Sequence, residues 1–217
     1  MNKDSVIATE SARRRNPRGH GDRLRADILA AVARLLDQKL TETALPVSLR
    51  EVAREVGIAA QSMYLHFADK EQLARAVAED GYQRVVMAMR DADDKAAAQG
   101  ADASERLRAQ ANAFCAFAAA EHGVIRLMFG HDASSFGEPG QVHPARLLWQ
   151  QWVEAIRACE NEGLRWPDSA ESVARFLWSA LFGHFALWSS TFGRHDEDEL
   201  TTFVDGIVDV ILRDGKR

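Results

Sequence analysis

From Leu24 to Ile211 the apolar residues return every three or four positions, and no stretch of useful length alternates with the two-residue period of a strand. A chain patterned this way can bury its apolar side chains only by packing helix on helix, so the fold class is all-α with about nine helices. Alanine supports this, with 36 Ala against 14 Gly and 5 Pro. Leu24, Ile28, Val32, Leu35 and Leu36 give a first helix from near Asp22 to near Lys39. Two short helices follow, then a fourth that Asp69 can cap and that Leu73, Val77, Val85 and Met89 carry to about Ala97. Residues 99–102 read as a connection. Leu107, Ala111 and Phe114 mark a helix that breaks at His122-Gly123, and Val124 to Phe129 form a short one. After a loop over 130–140, Leu148, Trp152, Ile156 and Cys159 mark the next helix. A long helix over 170–191 and a last one over 197–213 complete the chain.

The net charge of −5 argues mildly against a polyanionic partner, but the average hides a split. Residues 1–70 hold 12 Lys/Arg and 9 Asp/Glu, a net of +3, whereas residues 71–217 hold 15 and 23, a net of −8. Arg13, Arg14, Arg15, Arg18, Arg23 and Arg25 crowd near the start, with Pro17, Gly19 and Gly21 among them. Residues 1–20 therefore read as a disordered basic arm. Two cysteines cannot form a disulfide scaffold, and a reducing cytoplasm is the natural setting. No run of about 18 apolar residues exists to span a membrane. Charges stand where a signal peptide needs an apolar stretch, so the expected location is cytoplasmic.

The segment 48–67, SLREVAREVGIAAQSMYLHF, has the pattern of a helix-turn-helix. Ser48 to Glu51 is a capping-box sequence, in which the serine hydroxyl accepts from the third helical amide and the glutamate reaches back. The first helix is short, Ala53 is small where two helices must cross, and Gly57 tolerates the positive φ of the turn. Val56, Ile58 and Met63 flank that turn. In such a unit the second short helix enters the major groove and the first lies across the backbone.

The longer run SLREVAREVGIAAQSMYLHFADKEQLARAV resembles the DNA-binding domain of the TetR family of transcriptional regulators, most specifically over Met63-Tyr64-Leu65-His66-Phe67-Ala68-Asp69-Lys70-Glu71-Gln72-Leu73. The resemblance covers about residues 22–85. It implies a helix-turn-helix domain over 21–68, a ligand-binding and dimerisation domain over 69–217, and double-stranded operator DNA as partner. Ser48 would present exposed helix amides to a phosphate. Arg50 matches a position from which family members reach a guanine edge. Ala60, Gln61 and Ser62 are the exposed start of the recognition helix, where Gln61 can pair bidentately with adenine and Ser62 can donate or accept. Tyr64 and His66 resemble the family's phosphate-contacting pair, and the Tyr64 ring can also touch a thymine methyl. Lys70 can hold a phosphate beside the start of the fourth helix. The arm, with Arg13, Arg14 and Arg15, would enter a neighbouring minor groove. One departure stands out: Ala59 occupies a helix cap where the family usually has Ser or Thr, at a cost of about 1 kcal/mol.

Apolar residues nearly encircle the helix 170–191, so it must be buried on more than one side. Pairing it with helix 197–213 against a second copy makes a four-helix interface, and TetR-type regulators are similar in building a homodimer this way. The same domain is rich in Phe114, Phe117, Met128, Phe129, Trp149, Trp152, Phe176 and Phe182, which either pack a core or line a pocket for a small apolar or aromatic effector. His122, His131, Cys115 and His184 are the polar candidates beside them. His184 either contacts that ligand or lies in the core or dimer interface. The segments Phe114–Phe129 and Trp178–Trp188 resemble the subclass of these domains with a Trp-His-Gly signature, but Phe182 stands here where the histidine would be.

The leading reading is a repressor released from a palindromic operator by an effector. The alternatives are an activator of the same family or a helical ligand-binding protein without DNA binding. No cofactor or metal is implied. The acidic run His195 to Glu199 cannot converge on one ion from adjacent positions, and the chain lacks nucleophile-elbow, metalloprotease, phosphate-loop and Cys-x-x-Cys patterns, so an enzyme is not expected.

Overall fold

The computed structural model describes residues 20–38, 47–130, 142–190 and 197–215. Among them are nine helices: α1 His20–Gln38, α2 Leu49–Val56, α3 Ala60–His66, α4 Lys70–Ala98, α5 Ala103–Ala120, α6 His122–Phe129, α7 Ala145–Asn161, α8 Ala170–Ser190 and α9 Glu197–Asp214. The all-α expectation and the helix order both hold. The basic arm and the His131 candidate lie outside the described residues.

Local chemistry explains the boundaries. Ser48 Oγ accepts from the Glu51 amide at 3.2 Å and starts α2. Gly57 ends that helix in the left-handed region at φ 77°, a conformation that costs a residue with a Cβ about 1 kcal/mol or more. Asp69 Oδ1 accepts from the Gln72 amide at 2.7 Å, while Gln72 Oε1 takes the Ala68 amide, so both residues fasten the start of α4. Asp102 and Glu105 form a reciprocal capping box on α5, with each side chain accepting from the other's backbone. Ala59 makes no side-chain cap on α3, as its chemistry dictates.

Helices α1, α2 and α3 close a small unit around Ile28, Val32, Val52, Met63 and Phe67, all fully buried. From it α4 extends for 29 residues, roughly 44 Å at 1.5 Å per residue. In the second half, α5 lies at the centre and packs against α4, α6, α7, α8 and α9. Its inward Leu107, Phe114 and Ala118 meet a core that includes Met89, Trp152, Ile156, Leu177, Leu181 and Val204.

A chain of polar groups runs from this apolar core, where Gln110 and Gln151 are buried, out to the surface at Arg90. Gln110 Nε2 donates to Asp93 Oδ1 at 2.9 Å, Gln151 Nε2 donates to Gln110 Oε1 at 2.8 Å, and Arg90 Nε donates to Gln151 Oε1 at 2.9 Å. Arg106 completes the chain by a two-pronged contact with Asp93 at 2.9 and 2.7 Å. Buried amides are tolerated when their hydrogen bonds are made, and here they fix α4, α5 and α7 in register.

Helix α6 joins the two halves. On one side the Gly123 amide donates to Asp37 Oδ1 at 2.8 Å, at the end of α1. On the other, Gly81 of α4 admits Met128 and Val124, and Tyr82 Oη donates to the Met128 carbonyl at 2.9 Å. No helix among the described residues is long and apolar enough to cross a membrane.

Candidate functional site

The short helix α3 divides its seven residues by direction. Met63 and, just past its end, Phe67 point inward and are fully buried. Gln61 is exposed, and one turn later stand Tyr64, 52% exposed, and Leu65, 83% exposed. At 100° per residue these three share one outer face. Ala60, Ser62 and His66 are half-buried on its flanks. The helix carries no Lys, Arg, Asp or Glu. Cations surround it instead. Arg50 is exposed on α2, Lys70 is exposed at the first position of α4, and the Arg25 guanidinium of α1 lies 4.8 Å from the centre of the Phe67 ring. Ser48 is exposed at the start of α2. The fold thus brings Ser48, Arg50, Gln61, Tyr64 and Lys70 to the helix-turn-helix surface as exposed groups. Arg13, Arg14 and Arg15 lie outside the described residues. Leu65 is an exposed member of this face that the motif reading assigned no role. Its alternation against buried Met63 and Phe67 was the available signal.

Most of the residues expected to line a sensing pocket fall into two groups, and Phe117, Phe176 and His184 stand apart from both. Phe114, Met128 and Trp152 are fully buried in the core, and the Phe114 and Trp152 rings meet edge-on at 5.6 Å. Phe129, Trp149 and Phe182 come together in a half-buried aromatic cluster. Phe129 lies 4.5 Å from Phe182 and 5.9 Å from Trp178, and Trp149 lies 6.3 Å from Trp178. Tyr82 joins from α4 at 5.7 Å from Phe129, and His143 stands 6.1 Å from Tyr82. Trp178, Tyr82 and His143 were not singled out as site residues. Trp178 precedes Phe182 by one helical turn, which was the legible hint, but nothing in α4's own pattern points Tyr82 at α6. The Trp178 and Trp152 indole N–H groups are buried without a hydrogen-bond partner among the described residues. Phe117 is half-buried beneath the Arg84 guanidinium at 5.4 Å, and Arg84 is itself held by Asp80 and Glu121.

Phe176 belongs to neither group. It is 56% exposed on the outer face of α8, beside Val210 of α9. These two line a groove of about 600 Å³ with Trp166, Ser172 and Arg213. Leu187 is exposed further along α8. Gly183 and Gly206 sit mid-helix with open space where a Cβ would stand. The inner face of α8, with Leu177, Leu181, Phe185 and Trp188, is buried. The all-round apolar character of α8 thus resolves into a buried face and an exposed one. His184 stacks flat on Phe203 at 3.8 Å, its Nε2 lacks a partner among the described residues, and burial lowers its pKa. Both thiols are buried, and burial pushes Cys115 and Cys159 up to about 12.

Comparison with known proteins follows this division. Residues 41–77 match the model for bacterial regulatory proteins of the tetR family. Residues 107–211 match the tetracyclin repressor-like C-terminal domain, and the two together take in about two thirds of the chain. A search of curated protein sequences found no match. Among solved structures, a Rhodococcus protein of unknown function is 25% identical, with a TM-score of 0.72 over 94% of this chain and 100% of its own. A putative TetR-family transcriptional regulator from Mesorhizobium loti is 17% identical, with a TM-score of 0.69 over 89% of this chain and 97% of its own. The TetR-family transcriptional regulator PfmR from Thermus thermophilus is 19% identical, with a TM-score of 0.64 over 88% and 99%.

Proposed function

The chain belongs to the TetR family, DNA-binding regulators of transcription rather than enzymes, and we propose that it represses by gripping a palindromic operator as a homodimer and letting go when a small molecule enters its helical domain. The observation that carries this reading is the α3 surface, where Gln61 and Tyr64 stand exposed opposite a fully buried Met63. Gln61 meets an adenine edge, Arg50 a guanine, and Ser48, Tyr64, His66 and Lys70 hold phosphates on either side. Arg13, Arg14 and Arg15 add a sequence-independent term, so deletion of residues 1–20 lowers operator affinity and flattens its salt dependence.

The exposed face of α8 and α9 supports the dimer. Phe176, Leu187 and Val210 lie open to water on it, and Gly183 and Gly206 leave room for a partner's helices to approach closely. A glycine in the middle of an exposed helix costs about 1 kcal/mol relative to alanine, which close packing against a second copy would offset. The effector site we assign to the cluster of Phe129, Trp149, Trp178 and Phe182, with the Trp178 N–H as a donor awaiting an acceptor. That cluster adjoins α6, which touches α1, so an effector that prefers one setting of α6 biases the spacing of the recognition helices. Moving such an equilibrium from 1:99 to 99:1 takes about 5.5 kcal/mol of differential binding. The test is a mobility shift of the full chain, at low salt, on DNA upstream of its own gene and on a pool of genomic fragments. A retarded band is expected, and failure to bind any of these sequences refutes the reading.

A further inference from the structure

We infer that Leu65 is a specificity-determining residue that packs on the C5 methyl of a thymine in the major groove; this rests on the operator-binding reading above. Leu65 is the most exposed large apolar side chain among the described residues, at 83%. It shares the outer face of α3 with Gln61 and Tyr64, and α3 carries no charged side chain, whereas Arg50, Lys70 and Arg25 stand around it. Scattered single leucines on a surface need no explanation, but this one sits on the single face that the surrounding cations would draw against DNA. There it cannot hold a phosphate or a polar base edge. The one apolar group that bases offer in the major groove is the thymine methyl. Leu65 follows Gln61 by one turn, roughly 6 Å along the helix, which places the thymine roughly one to two base pairs from the base that Gln61 faces.

The experiment starts from duplexes that the full wild-type chain selects from a randomised library. Each thymine is then replaced in turn by deoxyuridine, which lacks only the methyl, and affinities are read by fluorescence anisotropy for wild type and Leu65→Ala. Because the side chain is exposed, the variant keeps its fold, and an unchanged melting temperature verifies that. One symmetry-related thymine pair should weaken wild type about three- to five-fold per half-site when its methyl is removed, the worth of one buried methyl group. Leu65→Ala should be indifferent at that position and should still respond at any thymine touched by Tyr64. If both proteins respond alike at every thymine, Leu65 reads no methyl and the inference falls while operator binding stands. If wild type selects no duplex at all, the operator reading falls and takes this inference with it.

Discussion

Substituting Gly123 by alanine is expected to loosen the joint between the two halves of the molecule. A Cβ at this position would stand 2.5 Å from the backbone carbon of Leu36, 2.5 Å from its Cβ and 2.8 Å from the Asp37 nitrogen. These are atoms of the helix backbone or directly attached to it, so no flexible side-chain tip can swing aside. Relief requires α6 to back away from the end of α1 by about 1 Å, since carbon atoms pack at about 3.5–4 Å. That displacement also stretches the 2.8 Å bond from the Gly123 amide to Asp37. Overpacking of this kind costs about 1–3 kcal/mol, and a bond to a charged acceptor is worth about 1.5–3 kcal/mol. Removing a helical glycine returns at most about 1 kcal/mol, less here because Gly123 lies in the first turn of α6. The net is a loss of about 3 kcal/mol, or roughly 6–12 °C in melting temperature for a chain of this size. Gly81 supplies the contrast. Its nearest neighbours are Met128 Sδ and Val124 Cγ1, side-chain rather than backbone atoms, of which the unbranched Met128 is the freer to shift. Gly81→Ala should therefore cost less than Gly123→Ala. Asp37→Ala removes the bond without the clash and should fall between wild type and Gly123→Ala. Thermal and urea unfolding, followed by circular dichroism, measure all three. A Gly123→Ala protein that melts within a degree or two of wild type would refute the claim that α6 and α1 are in rigid contact.

Other outcomes follow from the same geometry. Gly183→Ala and Gly206→Ala meet open space within one chain, so each should leave a monomer no less stable, yet raise the dimer dissociation constant measured by sedimentation equilibrium; unchanged association would mean that partner helices do not approach there. The Cys115 and Cys159 thiols, held at about 12 by burial, should resist Ellman's reagent at pH 8 until guanidinium unfolds the chain, and rapid native labelling would contradict their burial. His184 is a base whose folded pKa lies below its unfolded value near 6.5, chiefly by desolvation, with Glu199 opposing. The unfolded chain therefore takes up the proton first, so the His184 contribution to stability is complete above pH 6.5 and lost as pH falls through the lower folded pKa. His184→Gln should flatten the fall in melting temperature between pH 7 and pH 5, and an equally steep profile in the variant would remove His184 as the cause.

The helices were legible because each carries its own punctuation. Ser48, Gly57 and Asp69 act on residues within four positions of themselves, and their hydrogen bonds form as the letters alone require. The outer face of α3 was legible for the same reason, since buried Met63 and Phe67 fix which way Gln61 and Tyr64 must point. Long-range partnerships had no such local signature. Nothing near Gln110 or Gln151 announces that the two will be buried and will pair with each other, with Arg90 and with Asp93. Read alone, each is an ordinary polar residue on a helix. Likewise, a count of aromatic residues groups Phe176 with Phe129 and Phe182, although α8 turns Phe176 to the outside and Phe182 to the inside.

That last division bears on how the molecule works. One helix presents Phe182 and Trp178 to the cluster beside α6 and presents Phe176 and Leu187 to the open face. If an effector enters the cluster, two of the side chains it meets, Trp178 and Phe182, belong to the same helix whose outer face a partner subunit would grip. Rod-like helices move as units, and packed interfaces switch between discrete arrangements rather than deforming smoothly. On the proposed function a signal would reach DNA by two routes, through α6 to α1 within a chain and through α8 across the proposed dimer. Gly123→Ala acts on the first route and Gly183→Ala on the second. The two substitutions lie on different helices and touch none of the same neighbours, so their effects on operator affinity should add. A strongly non-additive double variant would mean that α6 and α8 respond as one body.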